Sequence, residues 1–198
     1  LQVEEPFSIA PKTIHDKQLK HRCLKGFHIK PESDYLKSRK PVLVNDDCKI
    51  TLAAPSQSMT EYYFKNADAD EVVFIHEGTG VLKTMYGNID FAYGDYLVIP
   101  RGTIYQFHFN QSSNRIMIIE SAGPITFPKR YRNDFGQLME HSPFCERDIR
   151  KPATLETHDV QGRFLLYIKK QDIIYPYHYL NHPFDVIGWD GYVYPFAL

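Results

Sequence analysis

Short apolar runs separated by turn residues recur along the chain from Pro41 to about residue 121. Each run has the length of a β-strand, and Val, Ile, Tyr and Phe dominate, which is typical of strands. Glycine-rich connections such as Gly87-Asn88 favour tight antiparallel turns over helical crossovers. The pattern therefore predicts an all-β sandwich or barrel, built from the runs PVLVN, CKITLAA, EYYFKN, EVVFIHEG, TGVLKTMYG, YLVIP, IYQFHF and RIMIIES.

The segments on either side of these runs differ from them in composition and hydrophobic pattern. The first part mixes prolines with charged residues and contains only a brief helix-like piece at residues 15–21. Beyond the runs, a charged, loop-like stretch with a predicted helical turn at residues 135–140 leads to two further strands, FLLYIKK and DIIYPYHY. We predict an irregular N-terminal arm at residues 1–40, a degenerate barrel at 41–122 and a connecting region at 123–198.

Composition narrows the classes of function. The chain has 23 Lys and Arg against 24 Asp and Glu, a formal net charge of −1, so no basic surface for nucleic acid is expected. Cys23, Cys48 and Cys145 are far apart and odd in number, which favours a reducing, cytoplasmic setting over a disulfide framework. No apolar run is long enough to span a bilayer, so we expect no membrane partner. The start at Leu1 and the apolar end lead us to expect part of a longer protein.

Two spacings match the signatures of small antiparallel barrels of the cupin type. Glu71, six residues and Gly78 correspond to the end of the first signature, G-x5-H-x-H-x3-4-E-x6-G. Gly94, five residues, Pro100 and then Tyr105 correspond to the second, G-x5-P-x-G-x2-H-x3-N. The chain thus resembles a cupin, and the resemblance implies a cupin-like antiparallel β-barrel, or jelly roll.

The same frame lacks most of the metal ligands of a cupin. Phe64 and Asn66 stand where the first signature has its paired histidines, and Tyr105 stands in place of the third histidine. Only the carboxylate of Glu71 remains. A phenyl ring, an amide and a phenol with a pKa near ~10 are poor ligands for Fe(II), which typically takes two imidazoles and a carboxylate.

Strand alternation predicts that the nearby histidines do not complete the set. If Glu71 points into the barrel, His76 points out, and if Tyr105 points in, His108 points out. Only a β-bulge would turn either imidazole inward. We therefore predict no metal-binding, catalytic or cofactor-binding residue in this chain, and a barrel filled by Phe, Tyr, Val and Ile.

Several residues outside the barrel have a structural interpretation as well as a functional one. His178 and His182 have the spacing of one helix face, but prolines on both sides argue against a helix and a metal site. Lys169 and Lys170 read as a solvated strand end. Trp189 lies in a Gly-Trp-Asp-Gly turn, where the expected role is packing against a neighbouring domain.

The charged connecting segment contains two further candidates. Cys145 and His141 are a nucleophile and a base close in sequence, but this says little about their geometry, so we interpret them as part of a hydrogen-bonded loop. Basic residues interleaved with acids predict a salt-bridged surface or a subunit contact rather than an anion site. These basic residues are Arg130, Arg132, Arg147, Arg150 and Lys151.

A longer combination of segments carries a sharper likeness. From about residue 37 to 198 the chain closely resembles the homogentisate 1,2-dioxygenase family, in particular bacterial members, through YFKNADADEVVFIHEGTGVLKTMYGNIDFAYGDYLVIPRGTIYQFHF, KRYRNDFGQLMEHSPFCERDIRKP and HPFDVIGWDGYVYPFAL. The resemblance implies a bicupin enzyme that opens the ring of homogentisate with O2 in tyrosine and phenylalanine breakdown. It also implies a homo-oligomer, and Fe(II) held in a C-terminal cupin that this chain does not contain. This chain would then be the metal-free scaffold half.

Alternatives remain open at this point. Bacterial relatives with the same pattern need not act on homogentisate, so the substrate is homogentisate or a related phenol. A hypothesis of another class, based on the missing histidines, is a non-catalytic cupin module that binds a small ligand or a partner protein. A third is a metal-dependent cupin isomerase or epimerase acting on a sugar.

Overall fold

The structure is a computed structural model that describes residues 2–14, 18, 20–152, 156–185 and 196–197. Its strands, in chain order, are β1 Gln2–Val3, β2 Phe7–Ser8, β3 Lys40–Val44, β4 Cys48–Ala53, β5 Tyr63–Asn66, β6 Asp70–Glu77, β7 Gly80–Thr84, β8 Gly87–Phe91, β9 Tyr96–Ile99, β10 Ile104–Phe109, β11 Arg115–Ser121, β12 Gln161–Lys170, β13 Ile173–Asn181 and β14 Phe196–Ala197. Short 3-10 helices lie at Gly26–His28, Lys129–Tyr131 and Glu146–Asp148.

The strands form two facing sheets. The first sheet runs β1-β13-β12-β5-β10-β7-β8, with β2 also paired to β13, and the second runs β14-β9-β6-β11-β4-β3. The pairings are antiparallel except between β12 and β5, which are parallel. From β4 to β7 and from β8 to β12, successive strands alternate between the two sheets, while β3–β4, β7–β8 and β12–β13 are hairpins within one sheet. The fold is an all-β, cupin-like jelly roll, as the strand pattern and the cupin signatures predicted.

The core lies between the sheets and is rich in aromatic rings. Alternate residues of β6 and β11 are buried, as expected for strands with one face against a core. Tyr35, Phe64, Tyr105 and Phe107 are among the largest fully buried side chains. The rings of Tyr35 and Phe107 stack at 4.3 Å between centroids, and Phe64 meets Tyr105 edge-on at 5.5 Å.

Segments outside residues 41–122 complete the first sheet. The hairpin β12–β13 joins it through β5, where Tyr167 lies opposite Phe64. The start of the chain then adds to β13, with Gln2 opposite His178 and Phe7 opposite Ile174. Hydrogen bonds therefore cross both proposed boundaries, at residues 40/41 and 122/123, and the three proposed parts share one sheet.

The hairpin β12–β13 turns through two residues in the left-handed region. Gln171 and Asp172 have φ of 53° and 55°, which carries a small cost in residues other than glycine. Contacts to the barrel offset this cost. Asp68 accepts a hydrogen bond from the Gln171 amide at 2.8 Å, and Asp172 pairs with Lys49. The turn is thereby attached to the open end of the barrel.

The predicted helical turn at residues 135–140 is wrong. This segment forms a tight loop closed by a bridge between Arg132 and Leu138. The Asn133 side chain accepts hydrogen bonds from the amides of Phe135 and Gln137, and Gly136 has a φ of 83°. Asparagine and glycine favour such turns over a helix. The predicted helix at residues 15–21 falls largely outside the described residues, and residues 20–21 are not helical.

Within the residues that the structure describes, we find no helix that is long and apolar enough to cross a membrane.

Gly80 supplies the sharpest packing constraint of the barrel and the first testable prediction. A Cβ at this position would lie 2.1 Å from the backbone oxygen of His108 and 2.7 Å from the Phe91 ring. We expect Gly80→Ala to lower the free energy of unfolding by about 2–4 kcal/mol, because backbone must move to admit the methyl group. Urea denaturation measures the loss.

The matched control is Gly123→Ala, where the nearest atom to a new Cβ is 4.0 Å away. This substitution should change stability by no more than about 0.5 kcal/mol. Equal effects of the two substitutions would contradict the packing described for β7 and β10.

Candidate functional site

The structure brings together the positions that the cupin signatures single out. Glu71 projects inward from β6 and Tyr105 from β10, and both are fully buried. The Tyr105 hydroxyl donates to Glu71 Oε2 at 2.5 Å. Phe64, in place of one signature histidine, packs against the Tyr105 ring. The frame read from the sequence thus has the geometry of a cupin ligand cluster with altered side chains.

Asn66, in place of the other signature histidine, has a structural role. Its Oδ1 accepts hydrogen bonds from the amides of Asp68 and Ala69 at 3.0 and 3.2 Å, which holds the turn after β5. Its Nδ2 donates to Glu120 Oε1 at 2.7 Å. The oxygen and the nitrogen of this side-chain amide are therefore both hydrogen-bonded within the protein.

Arg39 occupies the centre of the cluster and was missed by the sequence reasoning. Its Nη2 donates to Glu71 Oε1 at 2.7 Å and lies 3.4 Å from the Tyr105 hydroxyl. Its guanidinium carbon is 4.5 Å from the centroid of the Tyr35 ring and 5.3 Å from that of Phe64. The side chain is only 10% exposed. A fixed cation thus binds the one carboxylate that the signature retains.

A capped turn positions Arg39. Asp34 Oδ1 accepts hydrogen bonds from the amides of Leu36 and Lys37, each at 3.0 Å, and from the Tyr62 hydroxyl at 2.6 Å. Aspartate is well suited to this capping role. The turn ends just before β3 begins, so Arg39 lies between this turn and the edge strand of the second sheet.

A second buried carboxylate, Glu120, lies directly across the sheet from Glu71. The two residues are paired in the register of β6 and β11, and both side chains point inward. Like charges in this position repel each other. Arg39 Nη1 lies 3.6 Å from Glu120 Oε1, and Lys169 Nζ lies 2.8 Å from the same oxygen. The two cations make the facing pair of acids tolerable.

Lys169 corrects a prediction. It was expected to lie at a solvated strand end, but it is 3% exposed, and its ammonium reaches Glu120, Asp68 and Asp172. Of the two lysines, only Lys170 is exposed. The parallel pairing of β12 with β5 turns Lys169 towards the barrel. Ile116, Ile118 and Glu120 share the buried face of β11, so strand alternation within RIMIIES could have predicted the inward Glu120.

Burial and charge shift the ionisation of the cluster. Burial raises the pKa of Tyr105 well above its ordinary value of 10.0, and the neighbouring Glu71 carboxylate raises it further, so the phenol stays protonated. Burial would by itself raise the pKa of Glu120, but the charges of Arg39 and Lys169 outweigh it and hold this pKa below its ordinary value. The cluster is therefore a neutral phenol among fixed ions.

The donor set of this barrel does not fit Fe(II). Both oxygens of Glu71 already accept short hydrogen bonds, one from Arg39 and one from Tyr105. The guanidinium is bound to one oxygen of this carboxylate, and its positive charge repels a metal ion. Within the part of the chain that the structure describes, no group of three His, Cys, Asp or Glu is arranged to hold a metal ion.

The predicted directions of the nearby histidines are confirmed. His76 is exposed, and its ring meets that of Phe27 edge-on at 5.6 Å. His108 lies on the outer face, where Nε2 is 3.2 Å from Gln106 Oε1. Burial, with a smaller effect of Lys83, lowers the pKa of His108. Neither imidazole reaches Glu71.

The other histidine candidates are held apart. His178 lies on β13 and contacts Glu4 and Arg163. His182 follows the strand, donates from Nε2 to the Tyr63 hydroxyl at 2.8 Å and stacks on His158 at 4.3 Å. Its Nδ1 accepts a hydrogen bond from the Phe184 amide, so in the neutral ring the proton is on Nε2. His178 and His182 therefore have different partners and do not converge on one ligand position.

The connecting segment forms hydrogen bonds within itself and an ion pair with the barrel. The Cys145 amide donates to Asp148 Oδ2 at 2.8 Å, in keeping with the predicted hydrogen-bonded loop. In the basic stretch, Arg150 pairs with Asp95 at 2.5 Å and donates to the Asp90 carbonyl. Trp189 lies outside the described residues.

Removing the central cation should expose the repulsion between the two carboxylates. We expect Arg39→Met to lower the free energy of unfolding by about 3–5 kcal/mol at pH 7, because Glu71 and Glu120 lose their shared partner. Unpaired buried carboxylates have raised pKa values, so the variant should regain stability as the pH falls from 7 to about 5. Urea denaturation across this range measures both effects.

Wild-type protein should behave in the opposite way over acidic pH. The lowered pKa of Glu120 stabilises the fold above the ordinary value of 4.5, and this stabilisation is lost as the pH falls through the lower, folded-state pKa.

The control for Arg39→Met is Lys40→Met, which breaks the exposed pair between Lys40 and Glu32 and should cost no more than about 1 kcal/mol. A similar loss in both variants would contradict the central role of Arg39.

Buried tyrosines should limit stability at alkaline pH. Burial is the main cause that raises the pKa values of Tyr35, Tyr62 and Tyr105 above the ordinary value of 10.0. Ionisation is then favoured in the unfolded chain, so stability should fall as the pH rises above about 10. We expect the phenolate absorbance of the buried tyrosines, a phase above that of exposed residues such as Tyr93, to appear together with loss of β-sheet circular dichroism. Phenolate formation that runs to completion in a folded chain would contradict this.

The sequence of the chain is similar to that of known proteins. Residues 35–198 match the family model described as homogentisate 1,2-dioxygenase N-terminal. A curated relative named "Putative dioxygenase SSO1533", from Saccharolobus solfataricus, is 39% identical over 183 residues, which cover 92% of this chain and 47% of the relative. The chain thus spans about half the length of this relative.

Among solved structures, a cupin-2 domain protein from Shewanella frigidimarina is 25% identical, with 48% of this chain and 87% of that chain covered and a TM-score of 0.40. A cupin 2 conserved barrel protein from Rhodopseudomonas palustris is 21% identical, with 44% and 61% covered and a TM-score of 0.37. The fold assignment rests on the strand pairing rather than on these superpositions. By its sequence, the chain is a dioxygenase-like cupin and belongs to the homogentisate 1,2-dioxygenase N-terminal family.

Proposed function

We propose that this chain is the metal-free scaffold barrel of an Fe(II)-dependent dioxygenase that opens the ring of homogentisate or a related phenol. Fe(II), O2 and the aromatic substrate would bind outside the residues of this chain. The family match over residues 35–198 and the dioxygenase relative support the reaction class. Homogentisate as the substrate would place the protein in tyrosine and phenylalanine breakdown.

The contact between Arg39 and Glu71 is the observation on which the scaffold role rests. A cupin that used this barrel for chemistry would need its ligand carboxylate free to bind a metal. Here Glu71 is saturated by a guanidinium and a phenol, at 2.7 and 2.5 Å. The barrel interior therefore serves stability, and chemistry is left to another part of the longer protein.

The proposal also covers organisation. Residues 41–122 would be the barrel proper, with the arm at 1–40 and the connecting region at 123–198 completing its first sheet. We place the protein in the cytoplasm as a homo-oligomer, with neither nucleic acid nor membrane as a partner. The near-balanced charge of −1 and the three free cysteines are consistent with this setting.

Oxygen uptake by the full-length protein tests the activity. We expect the complete reading frame, loaded with ferrous iron, to consume O2 in the presence of homogentisate and to stop when iron is chelated. The 198-residue chain alone should consume none. Absence of turnover on homogentisate and on related dihydroxyphenols in iron-loaded full-length protein would reject the proposal.

Iron content tests the scaffold role separately. Glu71→Gln in the full-length protein should leave the iron bound per folded chain unchanged, because Glu71 is not a ligand in this scheme. Stability should fall, since Arg39 and Tyr105 lose a charged partner. The matched reference is wild-type protein loaded in parallel. A lower iron content per folded chain in the variant than in wild type would instead make Glu71 a ligand and place the metal in this barrel.

A further inference from the structure

A cavity of about 240 Å³ lies between the two sheets, next to the Arg39 cluster. Its wall is made from distant parts of the chain: the arm supplies Phe7 and Ile9, the turn before β3 supplies Leu36 and Arg39, and β4 supplies Lys49. The cavity is thus closed only when the arm, the barrel and the β12–β13 hairpin are in place. Its volume is below the range of about 300–1,000 Å³ that suits drug-sized ligands, so it suits a smaller molecule.

One side of the cavity is cationic. Lys37, Arg39, Lys49 and Lys169 all line it, and Glu120 is the one acidic residue in the same lining. The side chains of Arg39 and Lys169 are 10% and 4% exposed. Buried charges of this kind have few water contacts, so they interact strongly with an ion that enters.

Donors remain available on this side. Arg39 uses Nη2 for Glu71, and among the described residues its buried Nε has no hydrogen-bond partner. The Lys49 ammonium has three N–H groups, of which one is directed to Asp172. Lys169, by contrast, already reaches three carboxylates. An incoming anion would therefore accept a hydrogen bond from the Lys49 ammonium and be attracted by the charge of the Arg39 guanidinium, whose Nε is itself buried.

The single acid of the lining does not cancel this preference. Glu120 Oε1 already accepts from Asn66 and Lys169 and lies near Arg39. The charges of Arg39 and Lys169 outweigh the effect of burial and lower the pKa of Glu120, so its carboxylate stays ionised and paired. Because this negative charge shares the wall, a ligand with one negative charge is favoured over a dianion such as hydrogen phosphate.

The opposite side of the cavity is apolar. Phe7 is 44% exposed and meets the Tyr167 ring edge-on at 5.8 Å, and Ile9 and Leu36 pack against the core. The Ile9 amide donates to the Asp172 carbonyl at 2.8 Å, which fixes the arm across the opening. A ligand here would have an apolar body as well as a charge.

We propose that this cavity binds a small organic monoanion, a carboxylate of about one ring in size. Its carboxylate would accept a hydrogen bond from the Lys49 ammonium and lie beside the Arg39 guanidinium, and its apolar body would lie against Phe7, Ile9 and Leu36. This site is separate from ring opening and requires neither iron nor O2. It gives the scaffold barrel a ligand of its own, held by the same arginine that neutralises the interior.

Binding of benzoate to the 198-residue chain tests the charge and the apolar body together. We expect benzoate to bind with a Kd of millimolar or below, measured by calorimetry and by amide NMR shifts at residues 36–40 and 49–51. Benzylamine, of the same shape but positive, should not bind at this site. Acetate and inorganic phosphate should bind at least tenfold more weakly than benzoate, because acetate lacks the ring and phosphate carries a second charge.

Two variants separate the contributions. Lys49→Gln should weaken benzoate binding roughly tenfold or more, as expected when a charged hydrogen bond is lost. Phe7→Ala should weaken benzoate but leave acetate unchanged, and because Phe7 is a partly exposed arm residue, this variant should fold normally. Lys129→Gln, an exposed lysine outside the cavity, is the matched control and should bind as wild type does.

Several results would overturn the inference. No benzoate shifts at about 10 mM in the folded chain would do so, since complexes of millimolar Kd are saturated there. Tighter binding of benzylamine than of benzoate would make the cavity a cation site. Equal loss in the Lys49 and Lys129 variants would show that benzoate responds to overall charge rather than to this cavity.

Discussion

Two carboxylates face each other across neighbouring strands inside this barrel, and the rest of the interior is arranged around them. Glu71 and Glu120 occupy one register position of β6 and β11 with both side chains turned inward. Without a counter-charge such a pair would be strongly unfavourable in a medium of low polarity. Arg39 lies 2.7 Å from the first and 3.6 Å from the second, and Lys169 lies 2.8 Å from the second, so two cations compensate the two acids.

This arrangement explains how a cupin barrel can persist without its usual ligands. A metal ion in such a barrel supplies positive charge at a place where strands of both sheets converge. Here a side chain supplies that charge, and aromatic rings occupy the remaining space, with Phe64 and Tyr35 against the guanidinium. A covalently attached cation cannot dissociate, but it cannot offer open coordination positions either. Stability is retained, and the capacity for metal chemistry is not.

The charges also tie separate segments together. Arg39 ends the arm, Glu120 belongs to the barrel and Lys169 comes from the hairpin that pairs with β5, yet all three meet within hydrogen-bond or ion-pair distance. Charged groups this well buried are expensive to separate, so the three segments should fold cooperatively. The same three residues line the cavity beside Arg39, so the residues that stabilise the barrel interior also form the proposed ligand site.

Alternation along the strands determined much of this from the sequence alone. The all-β class, the inward Glu71 and Tyr105 and the outward His76 and His108 all follow from a period of two, which depends only on local geometry. What the sequence could not decide were contacts between distant segments. Arg39 and Lys169 look like ordinary surface charges beside their neighbours, because nothing local reveals which strand will pair with β12. Only tertiary pairing turns them inward. The loop at residues 135–140 differs, because it depends on local hydrogen bonds from the amides of Phe135 and Gln137 to the Asn133 side chain, a turn preference that the sequence itself carries.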